Sequence, residues 1–213
     1  MSKLTNAIPR DKFVPLFKEV REEVLAEDMP TLQRVRPSDV VGVSLFVWDE
    51  MVHRKVAEQP FKIAPIINSG MNGIYEFVEK ELGRPPVTDV LATRFFNEVN
   101  PEMSFVDVTL VQCFPDDIHI SDVEFSDNRR PVGGGKPEKG LRNYHGLHIF
   151  DDFIERLKAI ARDQAVSRLS LVVGGKGLYE VFARHGFQVS ETTMAQIAFK
   201  RTGVGFSMYM NVK

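Results

Sequence analysis

Two groups of residues in this chain carry types and spacing suited to chemistry. The first is a basic, glycine-punctuated segment, "GGGKPEKGLRNYHGLH", directly ahead of an amphipathic run. Gly140 and Gly146 permit close backbone approach, and Lys136, Lys139 and Arg142 add positive charge, with Asn143 and His148 beside them. A helix N-terminus after such a loop presents unpaired N–H groups and the positive end of the helix dipole, which together seat a phosphate. Asp151 and Asp152, in the first helical turn, suit the dipole but would repel a phosphate they faced. A solvated loop with ordinary N-terminal acids is the alternative. The second group is Asp122 and Glu124, two residues apart on a strand, with His119 as a third candidate. Carboxylates so placed can serve as general bases; each could equally be a solvent-facing strand residue.

Other reactive types point to no chemistry. Cys113 is the single cysteine, so an internal disulfide and a cysteine-rich zinc site are excluded. His145 and His148 form a spaced pair with no third ligand, and no metal is expected. "GGGKPEKG" lacks the Gly-Lys-Ser/Thr ending of a nucleotide-hydrolysing loop. No serine stands in a nucleophile-elbow context.

The elements that must position these residues follow from periodicity. The first hundred residues read as mostly helical: a stripe from Phe13 to Leu25, with Pro30 near its stop, and a second helix from Ser38 towards Ala57. Val40 to Trp48 is apolar on every side, so a buried strand stays open there. A third helix ends at "ELGRPP" with Gly83 as cap. Residues 88–99 fit a helix or a strand. After "NPEM" the period becomes two. Val106, Val108 and Leu110 form one strand, and Ile118 and Ile120 the next, with "FPDD" as the turn. The phase then slips, because Val123 and Phe125 fall out of step with the isoleucines. A bulge near Ser121 or Asp122 restores them to the core side; the alternative is a strand covered on both faces. Ile149, Phe150, Phe153, Ile154, Leu157, Ile160 and Ala161 predict a helix, "RLSLVV" a buried strand and "GLYEVFARHGF" a helix closed by Gly186. "MAQIAF" and "FSMYMNV" read as final strands. The second half is α/β with a mixed sheet.

The chain has 213 residues and a net charge of −2, with both signs well mixed. That disfavours a nucleic-acid partner held by bulk charge. No signal-peptide pattern opens the chain, and "VVGVSLFVW" is too short to span a bilayer. A cytoplasmic protein with no membrane association is expected.

Four stretches resemble the GNAT superfamily of acyl-CoA N-acyltransferases. "IHISDVEF" is similar to its long, bulged fourth strand, and "NYHGLH" has the spacing of its pyrophosphate loop. "FIERLKAIARDQAVSRLSLVV" is similar to its helix and fifth strand, and "VFARHGF" to its Leu-Tyr-x-x-x-Gly-Phe signature. The resemblance covers residues 104–213 and implies two regions. These are a mostly helical 1–103 and a GNAT-like acyl-CoA-binding 104–213 with a mixed, mainly antiparallel sheet flanked by helices. It implies transfer of an acyl group, most simply from acetyl-CoA, to a small-molecule or protein amine. Lys136, Lys139, Gly140, Arg142, Asn143, Gly146 and His148 would meet coenzyme A, and Glu124 and Asp122 would act on the amine. Phe182 stands at the family's tyrosine position and His148 at a small-residue position; Tyr179, one turn earlier, is the substitute acid. A homodimer is compatible with this reading. The alternative is a GNAT-like binding or interaction protein without turnover.

Overall fold

The computed structural model describes residues 2–16, 20–57, 71–97, 104–127 and 148–212. Seven strands form one sheet in the order β1-β2-β3-β4-β5-β7-β6. The strands β1 (Val20–Ala26), β2 (Val87–Asn97), β3 (Ser104–Cys113) and β4 (Asp117–Asp127) form an antiparallel meander. β5 (Arg168–Val173) runs parallel to β4, and β7 (Phe206–Asn211) lies antiparallel between β5 and β6 (Gln188–Val189). The sheet is mixed and mainly antiparallel, flanked by helices on both faces. Because β2 pairs with β3 along its length, the sheet runs across the division expected at residue 103.

Alternation along the strands divides the core in two. On one face Val106, Val108, Leu110, Ile118, Ile120, Leu169, Leu171 and Met208 pack under α5 (Ile149–Asp163) and α6 (Leu178–Arg184). The α5 stripe buries Ile149, Phe153, Ile154, Leu157, Ile160 and Ala161 as its spacing predicts, while Phe150 is only partly buried. Burying each large apolar side chain stabilises the fold by about 1.5–3 kcal/mol. The N-terminal segment closes this core, with Leu4, Ala7, Ile8 and Phe13 fully buried. On the other face Val90, Ala92, Val111 and Cys113 pack under α3 (Pro37–His53) and α4 (Met71–Leu82).

Three sequence expectations are corrected here. The stripe from Phe13 to Leu25 is not one helix: α1 (Arg10–Phe13) is short, and Val20–Ala26 is edge strand β1. Three charged residues in a row, Arg21, Glu22 and Glu23, separate Val20 from Val24, and pairing with β2 outweighs the local helical period. Pro30 does not end a helix but sits in the first turn of α2 (Met29–Val35), whose first orphan amides are met by Asp28 accepting from the Thr31 N–H. "MAQIAF" is not a strand. It lies in α7 (Thr193–Arg201), capped by Thr192, with Ala195 turned to the core while Met194 and Ile197 are exposed. Two open questions are resolved: residues 88–97 are strand, and Val40–Trp48 is helix, apolar all round because most of it is buried.

The bulge in β4 is present. Thr109 pairs with Asp122 and Leu110 with Ile120, which leaves Ser121 as the extra residue. Val123 and Phe125 thereby return to the face of Ile118 and Ile120.

Candidate functional site

β4 and β5 pair over four residues only, Asp117–Ile120 against Arg168–Leu171. Beyond Ile120 comes the bulge, which bends and over-twists the strand that carries it. β4 then runs on to Asp127 beside β3, while Val172 and Val173 stay paired with β7. The two strands part, and each keeps a row of backbone groups that the other does not meet. Peptide groups left this way pair readily with an added extended chain.

The bulge also sets which way the acids face. With Val123 and Phe125 returned to the core, Asp122 and Glu124 project to the face of α3, alongside Asp107 of β3 and Arg94 of β2. Arg36, at the junction of α2 and α3, reaches into the same place. Its Nη1 lies 2.9 Å from Asp122 Oδ2 and 3.8 Å from Asp39 Oδ2. Its Nη2 lies 2.9 Å from Asp107 Oδ1, an ion pair without hydrogen-bond alignment. Arg94 grips Asp107 from the other side, with Nε 3.1 and 3.0 Å from its two oxygens. Three carboxylates, Asp39, Asp107 and Asp122, therefore share two guanidinium groups, with Glu124 beside them.

Burial pushes the half-buried Glu124 carboxyl up from its ordinary value, and the charges of Asp122 and Asp107 add to this. Arg94 and Arg36 pull it back in part. Asp39 is raised for the same reason, burial first. Its Oδ2 and the Thr109 hydroxyl are both buried without an aligned hydrogen bond to a described residue, although Thr109 lies near enough to lower Asp39 somewhat.

Sequence reasoning singled out Asp122 and Glu124 as acids on the strand that would face a substrate. It missed Arg36, Asp39, Arg94 and Asp107. Asp107 alternates with Val106 and Val108, a pattern that singles it out for nothing, yet it is 4% exposed under the α2–α3 junction. The Arg-Pro pair at 36–37 marks a helix junction, a signal available in the sequence.

His119, the third base candidate, belongs to the core. It stacks on Phe46 with ring centroids 4.4 Å apart, and its Nδ1 lies 3.1 Å from Ser170 Oγ. Burial lowers its pKa to about 3, so the ring is neutral near pH 7. Cys113 is buried too, and burial holds its thiol well above the ordinary value. At the opposite end of β4 and β5, Arg168 is satisfied by Asp117 at 2.7 and 3.0 Å and by Glu50 at 3.0 Å, below a polar cavity of about 400 Å³. Every polar group of that network has a partner, which marks it as structural.

No family model matches the sequence, and no curated protein matches it. Among solved structures the chain is similar to a GNAT-family acetyltransferase from Staphylococcus aureus Mu50, with 11% identity over 92% of this chain and 100% of that one, at a TM-score of 0.38. It is also similar to an acetyltransferase from Streptococcus agalactiae 2603, with 11% identity over 92% and 99%, at 0.39. A third is the PaiA N-acetyltransferase from Thermoplasma acidophilum in complex with coenzyme A, with 12% identity over 91% and 99%, at 0.35. The sheet is mixed and mainly antiparallel, and its fourth strand is bulged, as the sequence analysis expects.

Tyr179 and Phe182 take different neighbours. Tyr179 packs on Phe199 and Phe206, with centroids 5.2 and 6.1 Å away. Phe182 lies between Phe150 and Phe187, at 5.8 and 6.1 Å. His148 precedes α5 in the left-handed region, at φ 51°, with its ring exposed beside Asp151. A residue without a Cβ adopts that conformation most easily. Lys136, Lys139, Gly140, Arg142, Asn143 and Gly146 lie outside the described residues. Among the described residues no group of three or more candidate ligands gathers for a metal, and no helix is long and apolar enough to cross a membrane.

Proposed function

We propose that the protein transfers an acyl group, most simply acetyl, from coenzyme A to an amine by direct attack. The observation that carries this reading is the parting of β4 from β5 next to a half-buried glutamate. The unmet backbone edges suit the amide-bearing arm of coenzyme A, which can pair as a short extra strand. Glu124 is the proposed base, because attack on a thioester needs a neutral amine and burial has raised its carboxyl towards the working range. Asp122, paired with Arg36, is proposed to face the cationic acceptor. Lys136, Lys139, Gly140, Arg142, Asn143, Gly146 and His148 are the proposed phosphate-side contacts. Tyr179 is the proposed donor to the departing thiolate, since Phe182 has no proton to give.

The chemistry balances without a further reactant. The amine nitrogen bonds to the carbonyl carbon, the C–S bond breaks, the amine proton passes to Glu124, and the thiolate leaves protonated from Tyr179 or water.

Acetyl-CoA is expected to stabilise the fold by about 2.7 kcal/mol at a hundredfold excess over its Kd. For a chain of this size that is a rise in Tm of roughly 5–10 °C. An unmoved Tm at millimolar ligand, with no heat of binding by calorimetry, sinks the reading. Binding without release of thiol on addition of amines would instead favour the GNAT-like binding protein, a reading consistent with Phe182 at the tyrosine position.

If Tyr179 is the acid, Tyr179→Phe should lower turnover about tenfold or more, with acetyl-CoA affinity unchanged. Steady-state thiol release checks the rate and calorimetry checks the affinity. Full activity would leave Tyr179 as packing for Phe199 and Phe206.

A further inference from the structure

Arg36 ends α2 and precedes α3, and neither role uses its side chain: no side-chain cap bond forms at α3. The guanidinium turns inward instead, with its side chain only 14% exposed. An arginine so placed gives up much side-chain freedom and hydration, which a structural junction does not require. Its neighbours are the acids that surround Glu124. Asp122 comes from β4 itself, Asp107 from β3 and Asp39 from α3, while the second cation, Arg94, comes from β2. Take Arg36 away and, among the described residues, Arg94 is the one guanidinium left in this cluster of four carboxylates. Like charges at such range cannot all stay ionised, and one acid must hold its proton.

With Arg36 in place both cations are engaged elsewhere. Arg94 is bound to Asp107, and Arg36 spans Asp107 and Asp122. Glu124 forms no ion pair with a described residue, although both guanidinium groups act on it through space. We propose that Arg36 is a positioning residue, which clamps the α2–α3 junction onto β3 and β4, holds Asp107 and Asp122 in ion pairs and leaves Glu124 as the carboxylate free to accept a proton. Its use in acyl transfer rests on the function proposed above; the clamp itself does not.

The test reads Glu124 directly. In protein labelled with ¹³C at glutamate carboxyls, the Glu124 signal is titrated by NMR without any acyl-CoA. Arg36→Gln removes the charge and should move the Glu124 midpoint upward by about one pH unit. Arg36→Lys keeps the charge but lacks the fork that spans two carboxylates, and should move it part of the way. Where the protein turns over, the acid limb of kcat/KM should move with the midpoint, while the KM for acetyl-CoA stays the same. A folded Arg36→Gln protein whose Glu124 midpoint is unmoved overturns the proposal. If the glutamine variant does not fold, the lysine variant decides alone, and an unmoved midpoint there overturns it equally. Failure of the wild type to bind coenzyme A would sink the acyl-transfer reading and leave the titration to decide Arg36.

Discussion

Glu124→Gln is expected to lower turnover about a hundredfold or more, which is the usual contribution of a positioned base and about 2.7 kcal/mol of barrier. Glutamine keeps the shape and hydrogen-bonding reach of the side chain but cannot take a proton. The effect should depend on pH in a definite way. Glu124 works as its anion, and burial with the charges of Asp122 and Asp107 raises its pKa. Wild-type kcat/KM should therefore climb through a midpoint above the ordinary carboxylate value. The deficit of the variant should be greatest between that midpoint and the pKa of the amine, where the acceptor is mostly protonated and needs a base. Above the amine pKa the two proteins should converge. Affinity for acetyl-CoA should not change. Activities within twofold of each other at every pH would remove Glu124 from the reaction and leave Asp39, the other acid raised by burial in this cluster, to be tested.

The second half of the fold was legible because its signals are local. Helix α5 announces itself by one stripe, and β4 by an alternation whose slip is the bulge at Ser121. The first half was less so. Val20 and Val24 fit a helical stripe, but their strand state comes from pairing with residues some seventy positions away, which no local period encodes. Thr192 is a capping residue two positions before Met194 in sequence, yet "MAQIAF" alone alternates well enough to pass for a strand. There the cap signal was the better guide.

The candidate site divides along the same line. Asp122 and Glu124 could be singled out as acids on one strand. That their face lies under α3 and not in solvent is no local signal, so Asp107 and Arg36 went unremarked. Their meeting depends on how a helix pair docks on a sheet, a long-range fact. Tyr179 shows the converse: helical spacing put it near Phe182, but the two side chains point to separate aromatic groups.

His119 should make the protein sensitive to mild acid. In the unfolded chain its ring titrates near 6.5, while burial in the fold lowers this to about 3. Above 6.5 the ring is neutral in both states and contributes no pH dependence. As pH falls below 6.5 the unfolded chain takes up a proton that the folded protein cannot, so stability drops, and it continues to drop until about pH 3. The full span amounts to about 4–5 kcal/mol, and the part between pH 7 and pH 4 to about 3 kcal/mol. The raised carboxyls of Asp39, Asp117 and Glu124 act the other way, since the fold binds their protons first. Comparison with His119→Gln cancels them. That variant should start about 1–3 kcal/mol less stable at pH 7, having lost the ring against Phe46. The gap should then close by about 3 kcal/mol on going to pH 4, as measured by urea unfolding at each pH. A gap that stays constant would mean that the ring is hydrated or protonated within the fold. The same measurement fixes the lower limit for the Glu124 activity profile, because any acid limb must be read where the folded fraction is still complete.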